Sequence, residues 1–228
     1  RQRQMCIRDS VTNQPTISST VSVAALTINS GADITVSSNS LTVSGATDVD
    51  GTLNVDNATV NLDGSADFTN GTVDFTHASG KITLSSTVTS LGTLDDAMGT
   101  VEYDGSSAQA LFSGTSAESY YNLTISGAST KTATGDITVN NDLTTANTSN
   151  CKLDLDDQNL TLKGDLNVGA TDGLDLSDAS CTVTMSGTSA QGVTHAGVSA
   201  GGSGTIISED FENSGSIPSG WTQTNVSG

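Results

Sequence analysis

Two adjacent carboxylate pairs, Asp95-Asp96 and Asp156-Asp157, have the residue types that general acid–base chemistry uses. Glycoside hydrolysis needs two such groups flanking the scissile bond. Enzymes acting on acidic sugars also need Arg or Lys to neutralise the substrate. Past residue 10 there is no arginine, and lysine occurs only at 81, 131, 152 and 163. A formal charge of −18 repels polyanionic substrates such as polyuronates. Asp157 also stands in a turn slot that Gly or Asn fills in neighbouring phrases, which gives it a structural role. The sequence predicts no catalysis in this chain.

Calcium is the ligand that the carboxylates suit best. Asp48-Val49-Asp50-Gly51 and Asp172-Gly173, followed by Asp175 and Asp178, bring hard oxygen ligands close together. Neither run has the spacing of an EF-hand or of a calcium-binding nonapeptide array. Asp also favours turns for its own reasons. His77 follows Phe75 by two residues, in a turn slot, where histidine tolerates a left-handed backbone. His195 has no Ser or Cys partner in a recognisable nucleophile motif. The sequence therefore assigns no catalytic, cofactor-binding or metal-ligating residue, and no cofactor. Tyr103, Tyr120 and Tyr121 are the aromatic residues within the repeats that could line a carbohydrate groove. Thr27, Thr35, Thr42, Thr83, Thr124, Thr138 and Thr161 invite comparison with an ice-binding ladder. Asn54, Asn61, Asp74, Glu102 and Asp154 take the same position in other phrases, so ordinary β-propensity accounts for the threonines. The tripeptides at Asn57, Asn70, Asn122, Asn147, Asn159 and Asn225 match the glycosylation pattern, as frequent Asn and Thr would by chance.

What must position these residues is a recurring phrase: apolar, polar, apolar, one more residue, then Gly, Asn or Asp. It runs through Leu41-Thr42-Val43 to Gly45, Leu53-Asn54-Val55 to Asn57, Val60-Asn61-Leu62 to Gly64 and Val101-Glu102-Tyr103 to Gly105. It continues through Leu123-Thr124-Ile125 to Gly127, Ile137-Thr138-Val139 to Asn141, Leu153-Asp154-Leu155 to Asp157, Leu160-Thr161-Leu162 to Gly164 and Val183-Thr184-Met185 to Gly187. Alternate side chains of such a strand point one way. The closing residue suits a left-handed turn. Phrases start every seven or eight residues, and three of them would close a triangular coil of about 22 residues. The fold class expected is all-β: a right-handed, three-sided parallel β-helix, with tandem antiparallel β-sandwiches as the alternative. Residues 16–192 should make roughly eight coils, each rising about 4.8 Å, or a rod of about 38 Å. A second repeat overlies the first. Thr100–Gln109 and Thr182–Gln191 match at six of ten positions with an offset of 82 residues, which suggests a module several coils long.

The apolar fraction of 34% is low for a compact globule but sufficient for a solenoid, whose core is thin. The acidic balance argues against nucleic acid and anionic membranes as partners. No apolar run approaches the ~20 residues of a membrane-spanning helix. Cys151 and Cys181 each stand two residues before a phrase and should point inward as small hydrophobes. Thirty residues of separation exceeds one coil, which disfavours a bridge between them.

Both ends have a different texture. Residues 1–10 (RQRQMCIRDS) hold all three arginines and resemble translated sequencing adapter, so they are expected to be an artefact or disordered, outside the fold. Without them Lys+Arg falls from 7 to 4 and Asp+Glu from 25 to 24, a charge of −20. The β-helical repeat domain is assigned to 11–192 and a Gly/Ser-rich linker to 193–205, in which 196–204 read AGVSAGGSG. Residues 206–228 hold the only tryptophan and Pro218, and are expected to begin a second domain.

The run Gly99-Thr100-Val101-Glu102-Tyr103, with Ala108-Gln109 and Tyr120-Tyr121-Asn122-Leu123-Thr124-Ile125-Ser126-Gly127, resembles repeats of large secreted surface proteins of Bacteroidota-type bacteria. Those proteins are adhesin-like and often leave by a type IX route. Glu209-Asp210-Phe211-Glu212 and Ile217-Pro218-Ser219-Gly220-Trp221 are similar to the opening of the cleaved-adhesin or choice-of-anchor jelly rolls that follow such repeats. The resemblance implies a structural stalk of an extracellular or cell-surface protein, whose partners are host or environmental glycans or surface proteins engaged through other domains. A carbohydrate- or calcium-binding module, and a non-catalytic part of a polysaccharide-active enzyme, are the alternatives.

Overall fold

The structure is a computed structural model. It describes residues 14–195 except Asp96, 113–117, Ser149, Thr171 and Ala179, together with the backbone of Met5–Ile7. The expected elements for 206–228 lie outside the described residues. So does most of the expected linker; the strand Val193–His195 occupies its first three residues.

Every ladder among the described residues is parallel. Among the described residues the chain is all-β, without a helix, and winds as a β-solenoid of about eight turns. Tandem antiparallel sandwiches are thereby overturned. Hairpins need short turns that reverse the chain, whereas each phrase here pairs with the phrase one full coil away.

Three sides can be followed. The long side carries nine strands in series: Val21–Val23, the later parts of Asp33–Val43 and Thr52–Leu62, Lys81–Leu84, Thr100–Tyr103, Asn122–Ile125, Leu143–Thr145, Leu166–Val168 and Val193–His195. Eight steps at ~4.8 Å place these strands along about 38 Å. Coil length varies along it. Thr42 pairs with Asn61, Glu102 with Thr124, and Asn167 with Thr194, separations of 19, 22 and 27 residues. The third side carries Leu26–Ile28, Thr47–Val49, Ala66–Asp67 and Val88–Ser90. The first side carries Thr16–Ile17, the early parts of Asp33–Val43 and Thr52–Leu62, Thr72–Phe75 and Thr93–Leu94. Beyond residue 100 two separate sheets take over these positions. Gln109–Leu111, Thr130–Ala133, Lys152–Asp154 and Leu174–Asp175 form one, and Glu118–Tyr120, Ile137–Val139, Leu160–Leu162 and Val183–Met185 the other.

Met5–Ile7 pairs with Leu26–Ile28, so the third side begins inside the adapter-like segment. An open sheet edge is a template for any β-competent stretch.

Period-two alternation stacks like upon like inside the rod. The inward columns of the long side run Leu41, Val60, Ile82, Val101, Leu123, Leu143, Leu166 and Val43, Leu62, Leu84, Tyr103, Ile125. All are buried. Each such side chain contributes about 1.5–3 kcal/mol on burial. In the last described strand of this side Val193 is 37% exposed.

The turn slots work differently from expectation. Of the nine phrase-closing residues only Gly127 and Asp157 have positive φ, at 68° and 64°. His77 is not left-handed either; its Nδ1 accepts the amide of Ser79 at 3.0 Å and so caps the turn. Most closing glycines are instead required by close approach between coils. A Cβ on Gly64 would lie 2.3 Å from the carbonyl oxygen of Gly45, one coil back. Stacked corners leave room for a backbone and nothing more.

Cys151 is buried and donates its thiol toward Ile125 O at 3.4 Å, whereas Cys181 is half-buried and faces Asp178 O at 3.4 Å. Both are free. They precede strands on different sides, which is why no bridge forms.

Candidate functional site

The acidic candidates divide between turns and ladders. Asp156 and Asp157 are consecutive left-handed residues, φ 45° and 64°. Asp157 Oδ1 accepts the amide and hydroxyl of Ser180 at 3.3 and 3.0 Å, and Asp154 Oδ1 accepts the amide of Asp156 at 3.2 Å. Their carboxylates and backbones form a corner. Asp95 Oδ1 accepts the amide of Ala97 at 2.9 Å, and Asp96 lies outside the described residues.

Asp48 stacks on Asp67 in register, and Asp50 accepts from Asn70 Nδ2 at 3.1 Å. Desolvation first, then Asp50 and Asp67, push the Asp48 carboxyl up. Desolvation and the carboxylates of Asp157, Asp154, Asp156 and Asp175 do the same to Asp178. Asp172 is exposed at its turn. Among the described residues no three His, Cys, Asp or Glu side chains gather closely enough to hold a metal ion.

Asp175 differs. Lys152 Nζ donates to its Oδ2 at 2.6 Å across adjacent coils, and Ser177 donates its amide at 3.0 Å. The Lys152 bond, with Ser177, holds the Asp175 carboxyl down to about 2, and the same bond raises Lys152. A depressed folded value stabilises above the ordinary carboxylate pKa and is lost as pH falls through about 2. Asp175→Asn should therefore cost about 0.5–1 kcal/mol at pH 7, the range for a partly exposed pair. The difference from wild type should vanish as pH falls from 4 to 2, followed by urea melts at each pH. A difference constant over that window would show that the ion pair stabilises nothing.

The long side presents the most regular polar surface. Thr83 donates to Asn61 Oδ1 at 3.2 Å, and Asn61 Nδ2 to Thr42 Oγ1 at 3.3 Å. Lys81 pairs with Glu102, which also accepts from Ser126 Oγ. Thr194 donates to Asn167 Oδ1 at 2.5 Å. The groups bond one another from coil to coil. The seven threonines of the sequence pattern do not share a side. Thr42, Thr83 and Thr124 lie on the long side, Thr27 on the third, Thr35 on the first, and Thr138 and Thr161 in the later sheet with Val183–Met185.

Of the three tyrosines named for a carbohydrate groove, Tyr121 is half-buried and the other two face inward. Tyr103 and Tyr120 are fully buried, their hydroxyls 3.3 Å apart. Tyr103 Oη accepts the Phe112 amide at 3.2 Å, and Tyr120 Oη donates to Phe112 O at 2.8 Å. Both rings point inward because they close period-two columns. His195 lies in register with Val168 in the last described strand of the long side.

Three residues escaped sequence reasoning. Gln109 Oε1 accepts the Gly105 amide at 2.9 Å, and its Nε2 donates to Leu84 O at 2.9 Å and Ser86 O at 2.7 Å. Gln191 repeats this arrangement with the Gly187 amide at 2.9 Å, Leu162 O at 3.1 Å and Gly164 O at 2.6 Å. The signal was present: both glutamines close the ten-residue match. That match is not a multi-coil module on one side. Val101 lies on the long side and Val183 in the later sheet, so one corner clamp is used at two different corners. Lys131 is in register with Gln109 and is completely buried. Its Nζ donates to Gly105 O, Ala128 O and Ser129 O at 2.8, 3.0 and 3.4 Å. Burial pushes its ammonium below the ordinary lysine value, with Cys151 and Asp104 pulling it partly back.

No protein family, curated protein or solved structure matched this chain. What the geometry offers is therefore the rod itself, its mutually bonded polar side and its clamped corners.

Proposed function

We propose that this chain is a structural stalk of an extracellular bacterial surface protein, adhesin-like and of the Bacteroidota type, without catalysis of its own. The observation that supports this reading is the long side. Nine parallel strands in series make a stiff spacer of about 38 Å. Outward polar groups of that spacer, among them Thr42, Asn61, Thr83, Asn167 and Thr194, bond one another from coil to coil. Such a rod holds a module at its end away from a surface, and ligand recognition, whether of glycans or of surface proteins, belongs to that module. The burial of Tyr103 and Tyr120 takes two of the three candidate tyrosines out of any aromatic platform, which favours the stalk over a carbohydrate-binding rod.

Two measurements test the proposal. Antibodies against residues 11–192 should label intact producing cells as strongly as lysed ones. On arrays of glycans and matrix proteins, the 228-residue chain should be silent while the full-length protein binds. Labelling that requires lysis would refute the surface role. A ligand held by the chain itself would make it a binding module.

A further inference from the structure

We infer that the rod is two cooperative units that share an apolar core but are joined by backbone ladders through a single sheet, with the boundary between Leu94 and Thr100. The inference rests on sheet continuity and is independent of the surface role proposed above.

On the third side pairing runs to Val88–Ser90 and stops; on the first it runs to Thr93–Leu94 and stops. New sheets begin at Gln109–Leu111 and Glu118–Tyr120. Among the described residues no backbone ladder joins Val88–Ser90 to Gln109–Leu111, or Thr93–Leu94 to Glu118–Tyr120. Across this step the coils share one four-residue ladder, from Lys81↔Thr100 to Leu84↔Tyr103. The following steps are held on all three sides, as by Leu123↔Leu143, Lys131↔Leu153 and Ile137↔Leu160.

Side chains span the gap in place of ladders. Gln109 hooks Leu84 O and Ser86 O of the coil before it. Ser85 Oγ donates to Asp104 Oδ1 at 2.7 Å. The Phe75 ring lies where a Cβ on Gly99 would be, 2.3 Å from its Cγ. In a repeat protein, cooperativity passes only through nearest-neighbour interfaces. An interface with one ladder in place of three transmits less of it, and the two halves open separately. The first and third sides are where the two units come apart, and the long-side ladder is what links them. Gln191 makes the same clamp where the long-side ladder Leu166↔Val193 runs beside the Leu160↔Val183 ladder. There it reinforces a step, whereas Gln109 holds one.

Native-state hydrogen exchange of the whole chain in rising urea tests this. Amides of Leu26–Phe75 should merge onto one unfolding isotherm and those of Leu123–Val168 onto another, their opening constants differing at least tenfold. Gln109→Leu should widen that separation, whereas Gln191→Leu should affect the last coil alone. One isotherm spanning both halves, or protection graded from the ends with no step at residues 94–100, would overturn the inference. The wild-type experiment decides this even if the Gln109 variant does not fold.

Discussion

Gly105→Val should melt about 6–12 °C below wild type, while Thr124→Val melts close to it. The glycine is not in the left-handed region, so the loss comes from crowding. A Cβ on Gly105 would lie 2.5 Å from Gln109 Oε1, 2.6 Å from its Cδ and 2.7 Å from Ser85 O. The carboxamide cannot move aside cheaply, because it is buried and bonded to three backbone groups. Overpacking costs about 1–3 kcal/mol. Each displaced hydrogen bond adds about 0.5–1.5 kcal/mol. A total of about 3 kcal/mol corresponds to the stated shift for a chain of this size. Thr124 is an outward position on the long side that suits a β-branched residue, so its change stays within about 0.5 kcal/mol. Circular dichroism melts of both variants make the comparison. Combining Gly105→Val with Gln109→Ala should cost less than the sum of the two, because the crowding by the carboxamide is then removed and only that by Ser85 O remains. Strict additivity would mean that Gln109 is not what crowds the corner.

Lys131 should separate charge from shape. Lys131→Ala strips Gly105 O, Ala128 O and Ser129 O of their donor and leaves a cavity. The expected loss is about 2–5 kcal/mol. Lys131→Gln places the residue found at the register position one coil earlier, Gln109, at the same inward site. It should cost under about 1 kcal/mol or stabilise, because a buried charge is removed. The pH dependence follows from the depressed folded pKa. Below that value both states hold the proton, and wild type carries the full penalty of burying it. As pH rises toward 10.5 the folded state gives up its proton first. Wild type should therefore gain stability relative to Lys131→Gln as pH climbs toward 10.5, seen as a rise of its urea midpoint against that of the variant. A gap constant with pH would mean that the ammonium is not penalised by burial.

How much of this was legible beforehand depends on whether a feature is local. Leu41-Thr42-Val43, Val60-Asn61-Leu62 and Leu123-Thr124-Ile125 declare strands with one buried edge, and their spacing declares coils. Side-chain alternation is a property of the strand itself, so residues alone suffice. The inward placement of Cys151 followed from the same rule. The closing glycines were legible as constrained but not as to cause, because a left-handed turn and a corner without room for a Cβ select the same residue. The ten-residue match was visible as a repeat. Its two copies turning different corners was not, since coil lengths of 19 to 27 residues shift the phase between sequence and side.

The candidate residues divide the same way. The acidic balance and the shortage of cations are sums over the sequence and needed no coordinates. Whether Tyr103 and Tyr120 face out or in, whether Asp175 meets Lys152, and whether Lys131 is surrounded by carbonyls are contacts between residues about one coil apart. Local pattern thus determined the class of fold, the repeating strands and the inward columns, because those follow from the geometry of one strand. Tertiary structure alone decided which side each strand joins, where two sheets give way to new ones, and which glycines, glutamines and lysine hold the corners. Those depend on what the preceding coil places about 4.8 Å away, which no single strand specifies.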